Sequence, residues 1–183
     1  MTNILAIETS SVHCSIGLSK NKEIYSMHSQ EENSHGKLIF GFIKDLLKKS
    51  QLEKEDIDLI ALSIGPGSFT GLRVGCSVAQ GLAFGLKKKI LPLSSLNILA
   101  QNVFLDGEAE HLYIVKEAHM NDLYVGKFAR KHNDLAYPLI DDRTIKKTEL
   151  EKFFSSDRKA VICCDCHEPV SYTHLRAHET STY

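Results

Sequence analysis

The chain has 183 residues, 43% of them hydrophobic, and a formal net charge of −1. A chain of this size buries roughly two-thirds of its unfolded surface, which suits one domain or two small lobes. The near-neutral balance argues against a stand-alone nucleic-acid binder, which shows a basic face. Apolar, strand-like sequence begins at once after Asn3 and no apolar run reaches membrane-spanning length, so a cytosolic protein with five reduced cysteines is expected.

Ile4 to Ile7 is a continuous apolar run ending in Glu8-Thr9-Ser10-Ser11, and a second run from Cys14 to Leu18 follows almost at once. The pair reads as a hairpin, and Glu23 to His28 extends it through the Lys20-Asn21-Lys22 turn, giving three antiparallel strands. His35 to Ser50 is a helix whose apolar stripe, Leu38, Ile39, Phe42, Ile43, Leu46 and Leu47, is wide enough to face two neighbours. His35 has no second histidine one turn on, and it reads as a capping or surface residue rather than a metal ligand.

The stretch from Leu59 to Leu86 organises the rest. An apolar run from Leu59 to Ile64 meets a turn at Gly65-Pro66-Gly67, and a helix from Thr70 to Leu86 carries Leu72, Cys76, Ala79, Leu82, Ala83 and Leu86 at helical intervals. Ser68 or Thr70 can cap that helix, and its free N–H groups offer a seat for an anion. Neither common phosphate fingerprint is present: Leu72 stands where a Walker loop has Lys, and Thr70 where G-x-G-x-x-G has its third Gly. Gly71, Gly75, Gly81 and Gly85 each cost roughly 0.8–1 kcal/mol relative to Ala inside a helix. Their four-residue pairings imply a close approach, either to the helix's own sheet or to a helix of a second chain. Arg73 sits in the first turn, against the helix dipole, and is either a solvated side chain or one with a task.

Ile90 to Leu93 is a further strand, followed by a helix from Ser94 or Ser95 to about Phe104. Beyond a lobe boundary at Leu105-Asp106-Gly107-Glu108 come strand-like runs His111–Val115, Leu123–Ala129 and Ala136–Ile140, a short helix Thr148–Phe154 and a strand Ala160–Cys163. This gives a first lobe over 1–105 and a second over 106–168, an α/β protein of two pseudo-related lobes. Cys163-Cys164-x-Cys166-His167 is too tightly spaced for a two-plus-two zinc site and reads as a strand end. From Pro169 the run VSYTHLRAHETSTY has no apolar period; it resembles translated sequencing-adapter read-through, so 169–183 is expected to be a non-native tail after a truncated second lobe.

Three segments together, ILAIETSS, GPGSFTGLRVGCSVAQGLAFG and IVKEAHMNDLYVGKF, resemble the TsaB (YeaZ) family, in the glycoprotease-like branch of the actin/sugar-kinase/Hsp70-like ATPase superfamily. The resemblance covers Asn3 to about Cys163, and GPGSFTGLR is its most specific part. It implies two lobes of mixed sheet with flanking helices. It further implies a non-catalytic scaffold for threonylcarbamoyladenosine modification of tRNA, next to the anticodon. Such a scaffold pairs with a TsaD-like paralogue through the two helices of its first lobe, in an assembly that recruits a TsaE-like ATPase and meets tRNA indirectly.

On that reading Leu38, Phe42, Leu46, Gly71, Gly75, Val78 and Leu82 form the partner-binding face, and a lone subunit would pair with itself through the same apolar patch. The competing reading is a small ATPase that uses Glu8, Thr9, Ser10, Gly65, Gly67, Ser68, Thr70 and Arg73 to hold nucleotide. Glu8 stands where the family motif more often has Asp, and Glu117-Ala118-His119 where it has Asp-Ala-Arg. No paired-histidine helix motif precedes the tail, so no metal and no catalytic residue is expected in this chain, and ATP with magnesium belongs to the complex.

Overall fold

A computed structural model of the chain describes residues 2–29, 35–106, 108–154, 161–165 and 177–179. It divides into two compact units, Met1–Ser95 and Leu96–Tyr183.

The first unit is a five-stranded sheet with two helices. Its strands are β1 (Ile4–Glu8), β2 (Ser15–Lys20), β3 (Glu23–His28), β4 (Leu59–Ser63) and β5 (Lys89–Leu93), in the order β3-β2-β1-β4-β5. The three N-terminal strands pair antiparallel, as expected, while β1, β4 and β5 run parallel. Parallel neighbours need a crossover, and the chain supplies α1 (His35–Ser50) and α2 (Phe69–Leu86).

Alternation sets the register. Leu18, Leu5 and Ile60 lie opposite one another, and so do Ile16, Ile7 and Leu62, so two apolar rungs point the same way across three strands. Onto this face pack Ile39, Ile43 and Leu46 of α1 and Val78 and Ala79 of α2, all buried in one core with Cys14. Leu46 is fully buried. It belongs to this core, and so does Val78, because the inner half of each helix is needed to cover the sheet.

The second unit repeats the strand pattern. Its strands are β6 (His111–Glu117), β7 (Asp122–Arg130), β8 (Ala136–Pro138), β9 (Arg143–Lys146), β10 (Val161–Asp165) and β11 (Ala177–Glu179), ordered β11-β10-β6-β7-β8 with β9 also on β7. As in the first sheet, two antiparallel steps lie on one side of the opening strand and two parallel steps on the other. Helix α3 (Ser95–Asp106) covers one face with Leu96, Ala100 and Phe104, and α4 (Leu150–Phe154) the other with Leu150 and Phe154. Two covered faces explain why Leu112, Tyr113, Ile114 and Val115 are consecutive and all buried.

Two segments differ from expectation. Arg143–Lys146 is a strand although Ile145 is its one apolar residue, and its alternation is too short to stand out. Ala177–Glu179, within the stretch expected to carry no element, pairs parallel with β10; backbone N–H and C=O groups can extend a sheet edge whatever the side chains.

Leu46→Ala should cost about 2–5 kcal/mol through the cavity it leaves. The measurement is the urea unfolding midpoint, and an unchanged midpoint would remove Leu46 from the core.

Candidate functional site

The loop after β4 is locked in place from two sides. Gly65 adopts φ +96°, a conformation that suits glycine, and precedes a cis Gly65-Pro66 bond. Ser95 N donates to Gly65 O at 2.9 Å and Ser95 Oγ to Pro66 O at 2.5 Å. On the other side Ser68 N donates to Ser10 O at 2.7 Å, and a Cβ on Gly67 would come within 2.1 Å of that same oxygen. Ser68, rather than Thr70, caps α2: its Oγ accepts from Gly71 N at 3.2 Å.

The same closeness continues nearly two turns into α2. A Cβ on Gly75 would stand 2.2 Å from Thr9 Oγ1 and 3.6 Å from Ile7 Cγ2. Gly71 and Gly75 are both buried. Gly75 therefore serves the helix's own sheet, and the partner-facing reading of this glycine pair is corrected: the open spaces are at Gly81 and Gly85, and at Gly36 and Gly41 of α1, where an added Cβ would touch nothing within 4 Å.

Of the residues expected to hold nucleotide, Glu8, Thr9, Ser10, Gly67 and Ser68 come together where β1 and β4 end. Glu8 Oε1 accepts from Ser10 N at 2.5 Å, Ser68 N is engaged with Ser10 O, and Gly71 N with Ser68 Oγ. Thr9 is fully buried, and its Oγ1 has no hydrogen-bond partner among the described residues. Arg73 lies apart from them, exposed on the outer face of α2 with its guanidinium 3.7 Å above the Phe69 ring. Burial pushes the Cys14 thiol up to about 11, with the Glu8 charge adding to the effect.

The outer faces of α1 and α2, where the sequence reading expected a partner, carry two aromatic side chains that it missed, Phe40 and Phe69. Gly36, Ile39, Phe40, Arg73, Val74, Ser77 and Val78 line an apolar groove of about 280 Å³ between the helices. Phe40 and Phe69 are each 61% exposed and Phe84 is 90% exposed. Leu38 is half-buried, and Phe42 and Leu82 are half-buried against the core. Phe40 was overlooked because it lies beside a stripe already complete without it, and Phe69 because it stood ahead of the expected helix start.

No group of three or more potential metal ligands occurs among the described residues. Glu117 closes β6, Ala118 N donates to Asp122 O at 2.9 Å, and the His119 side chain lies outside the described residues. Cys166, His167 and most of 169–183 lie outside them as well.

A family model described as TsaD, tRNA N6-adenosine threonylcarbamoyltransferase, matches residues 24–157. The chain belongs to this family. Within it, the chain sides with TsaB (YeaZ). It is 37% identical over 128 residues to the tRNA threonylcarbamoyladenosine biosynthesis protein TsaB of Haemophilus influenzae, a match covering 70% of this chain and 54% of that relative. YeaZ from Pseudomonas aeruginosa superposes with a TM-score of 0.74 at 30% identity, covering 79% of this chain and 67% of that one. A protein with similarity to peptidase YeaZ from Pseudomonas aeruginosa gives 0.80 at 26% identity, covering 89% and 76%. The chain thus spans little more than half the length of the Haemophilus relative. The two sheets with flanking helices bear out the expected α/β fold of two lobes, shared with the YeaZ structures. No helix among the described residues is long and apolar enough to cross a membrane.

Gly75→Ala should force α2 off β1 and cost about 1–3 kcal/mol, seen as a lower melting temperature. Cys14 contributes a pH dependence of known sign. Its folded value lies above the ordinary 9, so the folded form keeps its proton longer, and stability is full below 9 and falls as pH rises toward 11. Cys14→Ala should flatten that part of the curve in pH-dependent urea titrations.

Proposed function

We propose that this chain is a scaffold subunit for threonylcarbamoyladenosine modification of tRNA, pairing with a TsaD-family paralogue and leaving the chemistry to it. The observation that carries the reading is the aromatic groove on α1 and α2. Phe40 lines it, Phe69 lies under the Arg73 that borders it and Phe84 is exposed farther along α2, on a lobe whose core is already complete, and exposed aromatic side chains of this kind mark protein interfaces. The names of the relatives, TsaB and threonylcarbamoyltransferase, supply the process. The family paralogue supplies a partner built on related helices, so that two helices from each chain would close into a four-helix contact. Arg is among the residue types enriched where such contacts carry their binding energy, and Arg73 lines this groove.

The second reading, a small ATPase, draws on Thr9 Oγ1, buried and unpartnered near the N-terminal end of α2. Against it stand the hydrogen bonds that tie Glu8 and Ser68 to Ser10. ATP with magnesium, a TsaE-like ATPase and tRNA would then meet the assembled pair rather than this chain alone, in the cytoplasm.

Phe84→Asp tests the docking face, since a residue 90% exposed can be changed without touching the core. Co-purification with the paralogue should fall by at least about tenfold, a loss of about 1.4 kcal/mol, while the melting temperature stays within a degree or two. Undiminished co-purification would reject the face. Calorimetry of the chain with ATP and magnesium should be silent; binding lost in Glu8→Ala would favour the ATPase.

A further inference from the structure

We propose that the β8 end of the second sheet is an RNA-contact face, where an unpaired base of the tRNA stacks on Tyr137 and phosphates meet Lys127 and Lys131. The proposal rests on the reading that this chain takes part in tRNA modification, and it adds a contact made by the chain itself. Helix α4 is only five residues long and covers part of its sheet face, over Tyr113, Val115, Leu123 and Val125. Register carries that same face on toward β8. Alternation places Lys127 and Ala129 with Leu123 and Val125, and Ala129 lies between His111 on one side and Tyr137 on the other. Leu139 N donates to Lys127 O at 2.8 Å, so Leu139 stands beside Lys127 as Tyr137 stands beside Ala129.

This end of the face is uncovered among the described residues. Leu135, Tyr137 and Leu139, spaced two apart, are 58%, 49% and 44% exposed. Two cations lie against rings here. Lys131 Nζ is 3.9 Å from the Tyr137 centroid and Lys127 Nζ 5.0 Å from that of Tyr113. None of the residues on the two rungs that hold His111, Ala129 and Tyr137, and Tyr113, Lys127 and Leu139, is acidic. Of the nearby carboxylates, Asp134 is held by Arg130 at 2.7 Å, and Asp142 Oδ1 stands 3.1 Å from where a Gly126 Cβ would be, on the Phe128 side of the sheet. Asp141 lies in the link to β9.

The occupant follows from this chemistry. An apolar stripe with an aromatic ring, bordered by cations and without acids, suits a polyanion with flat apolar faces, and unpaired RNA bases are recognised on sheets in this way. A protein strand is a poorer match, since β8 is three residues long and its Pro138 has no N–H to offer a ladder. Three exposed side chains are also a small patch beside the roughly 800 Å² per partner of a stable protein contact. The net charge of −1 on the whole chain fits a contact that adds to the hold of a larger assembly on tRNA.

The test is fluorescence anisotropy of a labelled tRNA transcript titrated with the TsaD-family paralogue of the same organism, alone and mixed with the full chain as wild type, Y137A, Y137F or K131Q. Circular dichroism checks the folding of each variant, and co-purification its pairing. Wild type should tighten tRNA binding. Y137A should weaken the affinity of the mixture by about tenfold, and Y137F should stay within about twofold, because the ring is what stacks. K131Q should make the slope of log affinity against log salt shallower by about 0.7, one phosphate contact on a single strand. All variants should still co-purify with the paralogue. Wild-type affinity and slope in both Y137A and K131Q would overturn the proposal and leave the scaffold reading standing. Should Y137A unfold, the slope of K131Q decides alone. Loss of the paralogue together with tRNA in a folded variant would make a protein the occupant and overturn the proposal. So would a wild-type chain that leaves the tRNA affinity of the paralogue unchanged, with co-purification reporting separately on the scaffold.

Discussion

The first lobe depends on how near α2 comes to β1. With Thr9 Oγ1 only 2.2 Å from where a Gly75 Cβ would be, and Ser10 O 2.1 Å from that of Gly67, helix and strand are separated by backbone alone. That approach aligns Ser68 N with Ser10 O and seats the N-cap, so that the loop, the cap and the first two turns of α2 are fixed as one piece. The interior glycines weaken the helix in isolation, and tertiary packing offsets that cost.

Once the inner face of α2 is committed to the sheet, its outer face is free for another purpose. Val78 and Ala79 complete the core with Leu46 and Ile43 of α1, so the two helices lie side by side with their outer surfaces forming one groove. A lobe that needed only a sheet cover would place polar residues there. This one exposes Phe40, Phe69 and Phe84 on these helices, with Arg73 over the Phe69 ring. The same closure turns Glu8 and Ser68 toward Ser10, which ties the loop to the end of β1.

Much of this architecture was legible in the residues. The periodic stripes marked α1 and α2, and the alternation of Leu5, Ile7, Ile16 and Leu18 marked the opening meander, because burial on one face leaves an unmistakable period. The direction of the glycine pair was not legible: Gly71 and Gly75 lie on one face by spacing, but whether that face meets a strand or a second chain depends on where the sheet sits. Leu46 was assigned outward for the same reason, since a wide stripe does not say which edge is spare. Arg143–Lys146 escaped notice because an edge strand with one inward residue has almost no period, and Ala177–Glu179 because its pairing rests on the backbone alone.

The central claim is that the outer faces of α1 and α2 meet another protein of this family. A photo-crosslinking amino acid placed at position 84, with a second placed at exposed Ile24 on the far edge strand as control, tests it directly. Irradiation in the presence of the TsaD-family paralogue should give a covalent heterodimer from position 84 and none from position 24. Equal yields from both positions, or none from position 84 while the two proteins still co-purify, would contradict the account.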